Sequence, residues 1–167
     1  FPKKDTGKVN LTIWSFMRLI LDKAANVDEA INLIKQYDMS FSGLQIEGHY
    51  QITDASGDSI VVEWINGEVN IIRQEKNFQV CSNFYLSPSM SEDDKASGTA
   101  KERYNTAYSA LDSVSGIIKD EQAMQLLEAV NQGNATKWSV VFNSEKLTAE
   151  YAPHNNYEEK NRIKISL

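Results

Sequence analysis

Cysteine is almost missing. The 167 residues hold one, Cys81, so no internal disulfide can form and no thiolate spacing for a metal exists. Histidine is nearly as scarce: His49 and His154 are the whole supply, and no H-E-x-x-H pattern is present. No long apolar run occurs. The best, Leu11 to Leu21, is interrupted by Thr12, Ser15 and Arg18, which excludes a membrane-spanning helix there. Positive charge is in deficit, with 17 Lys and Arg against 23 Asp and Glu and a net charge of -6. No basic stripe alternates with aromatics, so nucleic acid is not an expected partner, and an anionic membrane surface is disfavoured. There is no G-x-S-x-G elbow. Phosphate-cradling glycine loops are absent, and Glu92, Asp93 and Asp94 lack Ca²⁺-loop spacing and read as a solvated loop face. No metal, nucleotide or redox cofactor is expected. The chain opens FPKKDTGK, without Met or signal peptide, which leads to the expectation of a cut or truncated chain. A single cysteine fits a reducing, cytoplasmic compartment.

What is present reads as one soluble domain over residues 1–167. Hydrophobic content is 41%, and a chain of this size buries roughly 70% of its unfolded surface. Ile13, Phe16, Met17, Ile20 and Ala24 recur at helical spacing. Asn26 and Glu29 form a capping-box pattern ahead of Val27, Ala30, Ile31 and Ile34. From Leu44 the period changes to alternation through LQIEGHYQITD, then DASGD supplies turn chemistry. SIVVEWI, a turn at Asn66-Gly67, EVNIIR and FQVCSNF predict a meander of strands. Residues 87–98 predict a loop. Thr99 with Glu102 predicts a capped helix carrying Tyr104, Ala107, Tyr108 and Leu111 inward. A second helix is expected from an Asp120 cap, with Ala123, Met124, Leu127 and Val130 buried and Gly133 closing it. KWSVVFN, KLTAEYA and NRIKISL end the chain as strands. Helices, strands, helices, strands is not the βαβα order of a parallel sheet, so the expected class is α+β with helices covering antiparallel sheet.

Two residues in CSNFYL compete for chemistry. Cys81 as a nucleophile needs a lowered pKa and a base, for which His49 and His154 are the histidines on offer. A lone cysteine in a strand is more often a small packed hydrophobe. Asn83, two residues on, is either a strand-end turn former or an amide donor.

The ordered motifs resemble a known family. His49, then DASGDSIVVEW with Asp54, Gly57, Ser59, Val61, Val62 and Glu63, then Ser82-Asn83, KERYNTAY and TKWSVVFN are similar to the linear amide C–N hydrolases. That group, choloylglycine hydrolases and penicillin V acylases among its members, consists of N-terminal nucleophile hydrolases. The resemblance implies αββα layers with antiparallel sheets, here a partial fold representing the C-terminal part. It implies an N-terminal cysteine nucleophile, with its own α-amino group as base, lying upstream of Phe1. Asn83 then matches the asparagine that stabilises the tetrahedral oxyanion, and Arg103 the arginine that holds the charge network of the active site. Otherwise Arg103 is a surface residue pairing with Glu102 or Asp58.

The same resemblance implies a small-molecule amide substrate for the complete enzyme and a missing N-terminal half, or a homo-oligomer, as partner. This chain alone is expected to be inactive. A non-catalytic binding module and an independent hydrolase using Cys81 and His49 are the alternatives. Asp54, Gly57, Val61 and Val62 are expected to be structural, Glu63 to pair or cap, and Trp14, Trp64 and Trp138 to pack.

Overall fold

A computed structural model describes residues 6–40, 48–65, 68–87 and 99–167. The chain divides into two compact units, residues 1–75 with 83–98, and residues 76–82 with 99–167. Each is built from helices beside antiparallel sheet.

In the first unit, helix α1 runs Ile13–Lys23 and α2 runs Val27–Ile34. Thr12 caps α1 by accepting from the Ser15 N–H at 3.2 Å. Asn26 Oδ1 caps α2 through the Glu29 N–H at 2.9 Å, and Glu29 reaches back to the Ala25 N–H at 2.9 Å. That is the expected box, displaced by one residue on its return arm. The pair is framed by two short parallel strands, β1 (Asn10–Thr12) and β2 (Asp38–Ser40), which periodicity did not reveal.

An antiparallel sheet follows, ordered β3 (His49–Thr53), β4 (Ser59–Ile65), β5 (Glu68–Arg73). Ile60, Val62 and Trp64 share one face of β4 and meet Phe16, Ile20, Val27, Ala30, Ile31 and Ile34 of the helices. Phe16, Tyr50 and Trp64 make a ring cluster with centroids 5.3, 5.3 and 5.8 Å apart. The opposite face of β4 is buried too, with Val61 and Glu63 both at 0% exposure. Burial on both faces is why SIVVEWI is mostly apolar instead of alternating, with Ser59 and Glu63 as its polar residues.

In the second unit, α3 (Ala100–Ser113) and α4 (Asp120–Ala129) precede a sheet ordered β6 (Trp138–Asn143), β7 (Thr148–Pro153), β8 (Ile163–Ser166). Met124 of α4 packs with Ala152, Tyr157, Leu127 and Val141. Arg162, its side chain 5% exposed, pairs with Glu121 of α4 and Glu150 of β7 and donates to the Tyr157 carbonyl at 2.6 Å.

Several expectations need correction. FQVCSNF enters neither three-stranded sheet. Its apolar alternation is not matched by a strand, and residues 78–84 lie in no helix or strand. Thr99 precedes α3 but its side chain makes no capping bond, since its backbone (φ -82°, ψ 2°) lacks the extended geometry a cap needs. Asp120 is the first helical residue, not the cap. Its carboxylate instead receives Asn143 Nδ2 and Lys146 Nζ, each at 2.7 Å, while Gln122 accepts from the Lys119 N–H. Gly133 lies beyond the end of α4 and opens a short 3-10 turn with φ 55°. The α3 stripe of Tyr104, Ala107, Tyr108 and Leu111 is half-buried, not buried.

Trp64 is buried at 6% exposure, as expected, but Trp14 and Trp138 are 68% and 61% exposed. Trp14 lies off the Phe16–Ile20 stripe of α1, and Trp138 opens β6 on the face away from Met124. Asn66-Gly67, Leu44, Ile46 and residues 88–98 of the predicted loop lie outside the described residues.

Candidate functional site

The turn motif DASGD does two structural jobs. Asp54 Oδ1 accepts the Ser56 N–H at 2.8 Å and the Ser56 hydroxyl, and Gly57 takes φ 88°. Asp54 Oδ2 accepts the Val27 N–H at 3.0 Å, filling a donor at the start of α2. The Ser56 hydroxyl, then the Val27 N–H, hold the Asp54 carboxyl below its ordinary range. Asp58 is held by Arg73, its Oδ2 2.8 Å from Nη1.

Glu63 is the unusual residue of β4: a fully buried carboxyl group inside an apolar strand. It faces away from α1 and α2. Its Oε1 accepts the Leu86 N–H at 2.6 Å and its Oε2 accepts the Ser87 N–H at 3.0 Å. Buried backbone donors must be satisfied, and here a side chain replaces a sheet ladder. Glu63 was expected to pair or cap; sequence reasoning missed its partner, and the signal available was a lone acid at a position that apolar neighbours mark as core.

His49 sits directly across from Glu63 in the β3–β4 register, with Nδ1 4.0 Å from Glu63 Oε1. That separation is too long for a hydrogen bond. Burial pushes the His49 pKa below its ordinary value, and the Glu63 charge, which pulls upward, is the weaker influence. The ring is therefore neutral at neutral pH, and the backbone N–H groups, not His49, satisfy Glu63.

Asn83 stands in the first unit, exposed, three residues before the Glu63-held Leu86. Cys81 belongs to the second unit and is half-buried. It lies among groups around Tyr104, whose phenol pKa is raised by burial first, then by Tyr108 and by Cys81. Ser82 donates to the Ala100 carbonyl at 3.1 Å, fixing its stretch to the start of α3.

Arg103 lies in the first turns of α3, in the second unit, where its N–H donates to the Thr99 carbonyl at 3.0 Å. With Thr99, Glu102, Thr106, Asn131 and Gln132 it lines an open cavity of about 510 Å³, a volume typical of small-molecule sites. Asn83 and Arg103 thus belong to different units, each set by contacts within its own. Among the described residues, no cluster of three or more His, Cys, Asp or Glu side chains could hold a metal ion, and no helix is long and apolar enough to cross a membrane.

Comparison with known proteins extends these observations. Residues 5–155 match the family of acyl-coenzyme A:6-aminopenicillanic acid acyl-transferase. The chain is 35% identical over 92 residues to a penicillin V acylase from Pectobacterium atrosepticum, an overlap of 50% of this chain and 24% of that protein. Among solved structures, a variant of conjugated bile acid hydrolase from Clostridium perfringens superposes with a TM-score of 0.66 at 16% identity, covering 99% of this chain and 66% of that one. Penicillin V acylase from Agrobacterium tumefaciens gives 0.64 at 19% identity, covering 99% and 64%. The chain therefore spans about a quarter of the curated relative and about two thirds of the solved structures. The structural likeness carries the fold class, α+β of the N-terminal-nucleophile-hydrolase type with antiparallel sheets, in part of its full extent. The match over residues 5–155 makes the chain a member of the penicillin acylase and choloylglycine hydrolase family of linear amide hydrolases.

Proposed function

We propose that this chain supplies the oxyanion donor and an active-site arginine of an enzyme that cleaves the C–N bond of a small linear amide, with a cysteine nucleophile at a mature N-terminus outside these 167 residues. The observation that carries the reading is Asn83: an exposed amide on a non-strand segment fixed three residues later by the buried Glu63 carboxyl. A neutral N–H donor on a fixed backbone is what a developing oxyanion requires, because it needs no reorganisation during the reaction. Arg103, which lines an open cavity in its own unit, is the residue that matches the arginine of the family's charge network. The cysteine thiol attacks the carbonyl carbon, Asn83 Nδ2 donates to the oxygen as it becomes negative, and the amine leaves with the proton taken from the thiol. The resulting thioester is then hydrolysed, passing through a second oxyanion at the same donor. The names of the relatives point to penicillin V and bile acid amides as substrates to try first. On this reading the 167 residues are the C-terminal part of one catalytic domain. They are silent alone and work with the segment bearing the nucleophile.

The test begins with intact mass and N-terminal sequencing of the purified material, then amide hydrolysis assays. Asn83→Ala should lower kcat by about a hundred- to thousandfold in the protein that contains both parts. Arg103→Ala should lower it as well. Full activity in Asn83→Ala would overturn the reading and leave a binding module as the better account.

A further inference from the structure

We infer that Glu63 is a positioning residue for the proposed reaction: its carboxyl group sets where the Asn83 amide stands by gripping the backbone of residues 86 and 87. The inference rests on the reading of Asn83 as the oxyanion donor.

The geometry is specific. Residues 83–87 belong to no helix or strand. Tyr85 and Ser87 are nevertheless buried, at 7% and 3% exposure. Glu63 receives one N–H on each oxygen, at 2.6 and 3.0 Å, so both acceptors serve this one segment. Two adjacent N–H groups on one rigid carboxyl group fix both the distance and the orientation of the chain. Glu63 itself stands in the central strand of its sheet, paired on both sides, where its own backbone cannot drift. The sequence separation is 23 and 24 residues, so this is a tertiary clamp and not a local turn.

A site held by such a clamp loses rate when the clamp slackens, because a displacement near 1 Å can cost about a hundredfold. Glu63→Gln is the decisive variant. It keeps the volume, but turns one acceptor into an NH₂ group that meets a backbone N–H, donor against donor. In the protein carrying both parts of the enzyme, with penicillin V or a bile acid amide as substrate, kcat should fall by about a hundredfold with KM little changed. Glu63→Asp keeps both acceptors but retracts them, and should restore part of the rate. It also serves if Glu63→Gln does not fold.

The double variant Glu63→Gln/Asn83→Ala decides the route. If Glu63 acts through Asn83, the double variant is no slower than Asn83→Ala alone. If the two losses multiply, Glu63 acts elsewhere and the inference is wrong. Unchanged kcat in Glu63→Gln overturns it as well. Asn83→Ala with full activity is a different failure, that of the functional reading. Amide hydrogen exchange at Leu86 and Ser87 then still reports the clamp itself, since protection lost in Glu63→Gln shows that the carboxyl group holds the segment whatever the segment does.

Discussion

His49 and Glu63 face each other across β3 and β4, yet they do not share a proton at neutral pH. Desolvation holds the His49 ring below its ordinary value of 6.5. In the unfolded chain the same ring titrates near its ordinary value. Between those two pKa values the unfolded state binds a proton that the folded state does not, so stability falls as pH drops. The window opens near pH 6.5 and closes below the folded pKa of His49. Urea unfolding midpoints should therefore fall from pH 7 to pH 5, and His49→Gln should flatten that slope. An equal slope in the variant would place the sensitive group elsewhere.

Among the elements, the end of α3 carries a cost that substitution can relieve. The Gly116 N–H donates to the Leu111 carbonyl at 2.8 Å and the Ser115 N–H to that of Asp112 at 3.1 Å, a Schellman closure. Ser115 takes φ 53° there, a left-handed backbone that disfavours any side chain. Ser115→Gly should raise stability by about 0.5–1 kcal/mol, read from thermal or urea midpoints. Gly116 is the opposite case. Its φ is 77°, and a Cβ would stand 2.8 Å from the Asn77 carbonyl oxygen and 3.1 Å from Phe78 Cδ1. Gly116→Ala should destabilise by about 1–3 kcal/mol, because backbone atoms cannot step aside as a flexible side chain would.

Legibility varied with what each signal measures. Apolar spacing found α1, α2, α3 and α4 and the strands of both antiparallel sheets, because core faces repeat at the period of the element. Caps were less legible. Asn26 was found, but the Thr99 side chain makes no capping bond because of its backbone angles, and the Asp120 carboxylate is taken by Asn143 and Lys146 far along the chain. FQVCSNF showed why a pattern is not a strand: a ladder needs a neighbour, and sequence shows none. In the candidate site, Asn83 and Arg103 came from motif order alone. The Glu63 clamp needed coordinates, since nothing local ties residue 63 to residues 86 and 87.

At the scale of the whole molecule, charge sets the response to acid. Asp54 in the first unit, and Asp120 and Glu121 in the second, all have pKa values lowered in the fold. Asp54 is held chiefly by Ser56, Asp120 by Lys146, and Glu121 by Arg162. Groups shifted this way stabilise the fold fully above their unfolded pKa, about 4, and lose that contribution as pH falls through the folded value. Both units should therefore lose some stability as pH falls below about 4, by an amount that solvent screening keeps modest. Glu121→Gln should shift the acid transition read at amides of the second unit, as followed by residue-resolved hydrogen exchange.

The uneven placement of the three tryptophans gives the protein a natural optical readout. Trp64 is enclosed by Phe16 and Tyr50, whereas Trp14 and Trp138 face solvent. Iodide should extinguish the red-shifted emission of the outer pair and leave a blue component from Trp64. That residual light reports on the first unit alone, so its unfolding can be followed in the intact chain without attaching a dye.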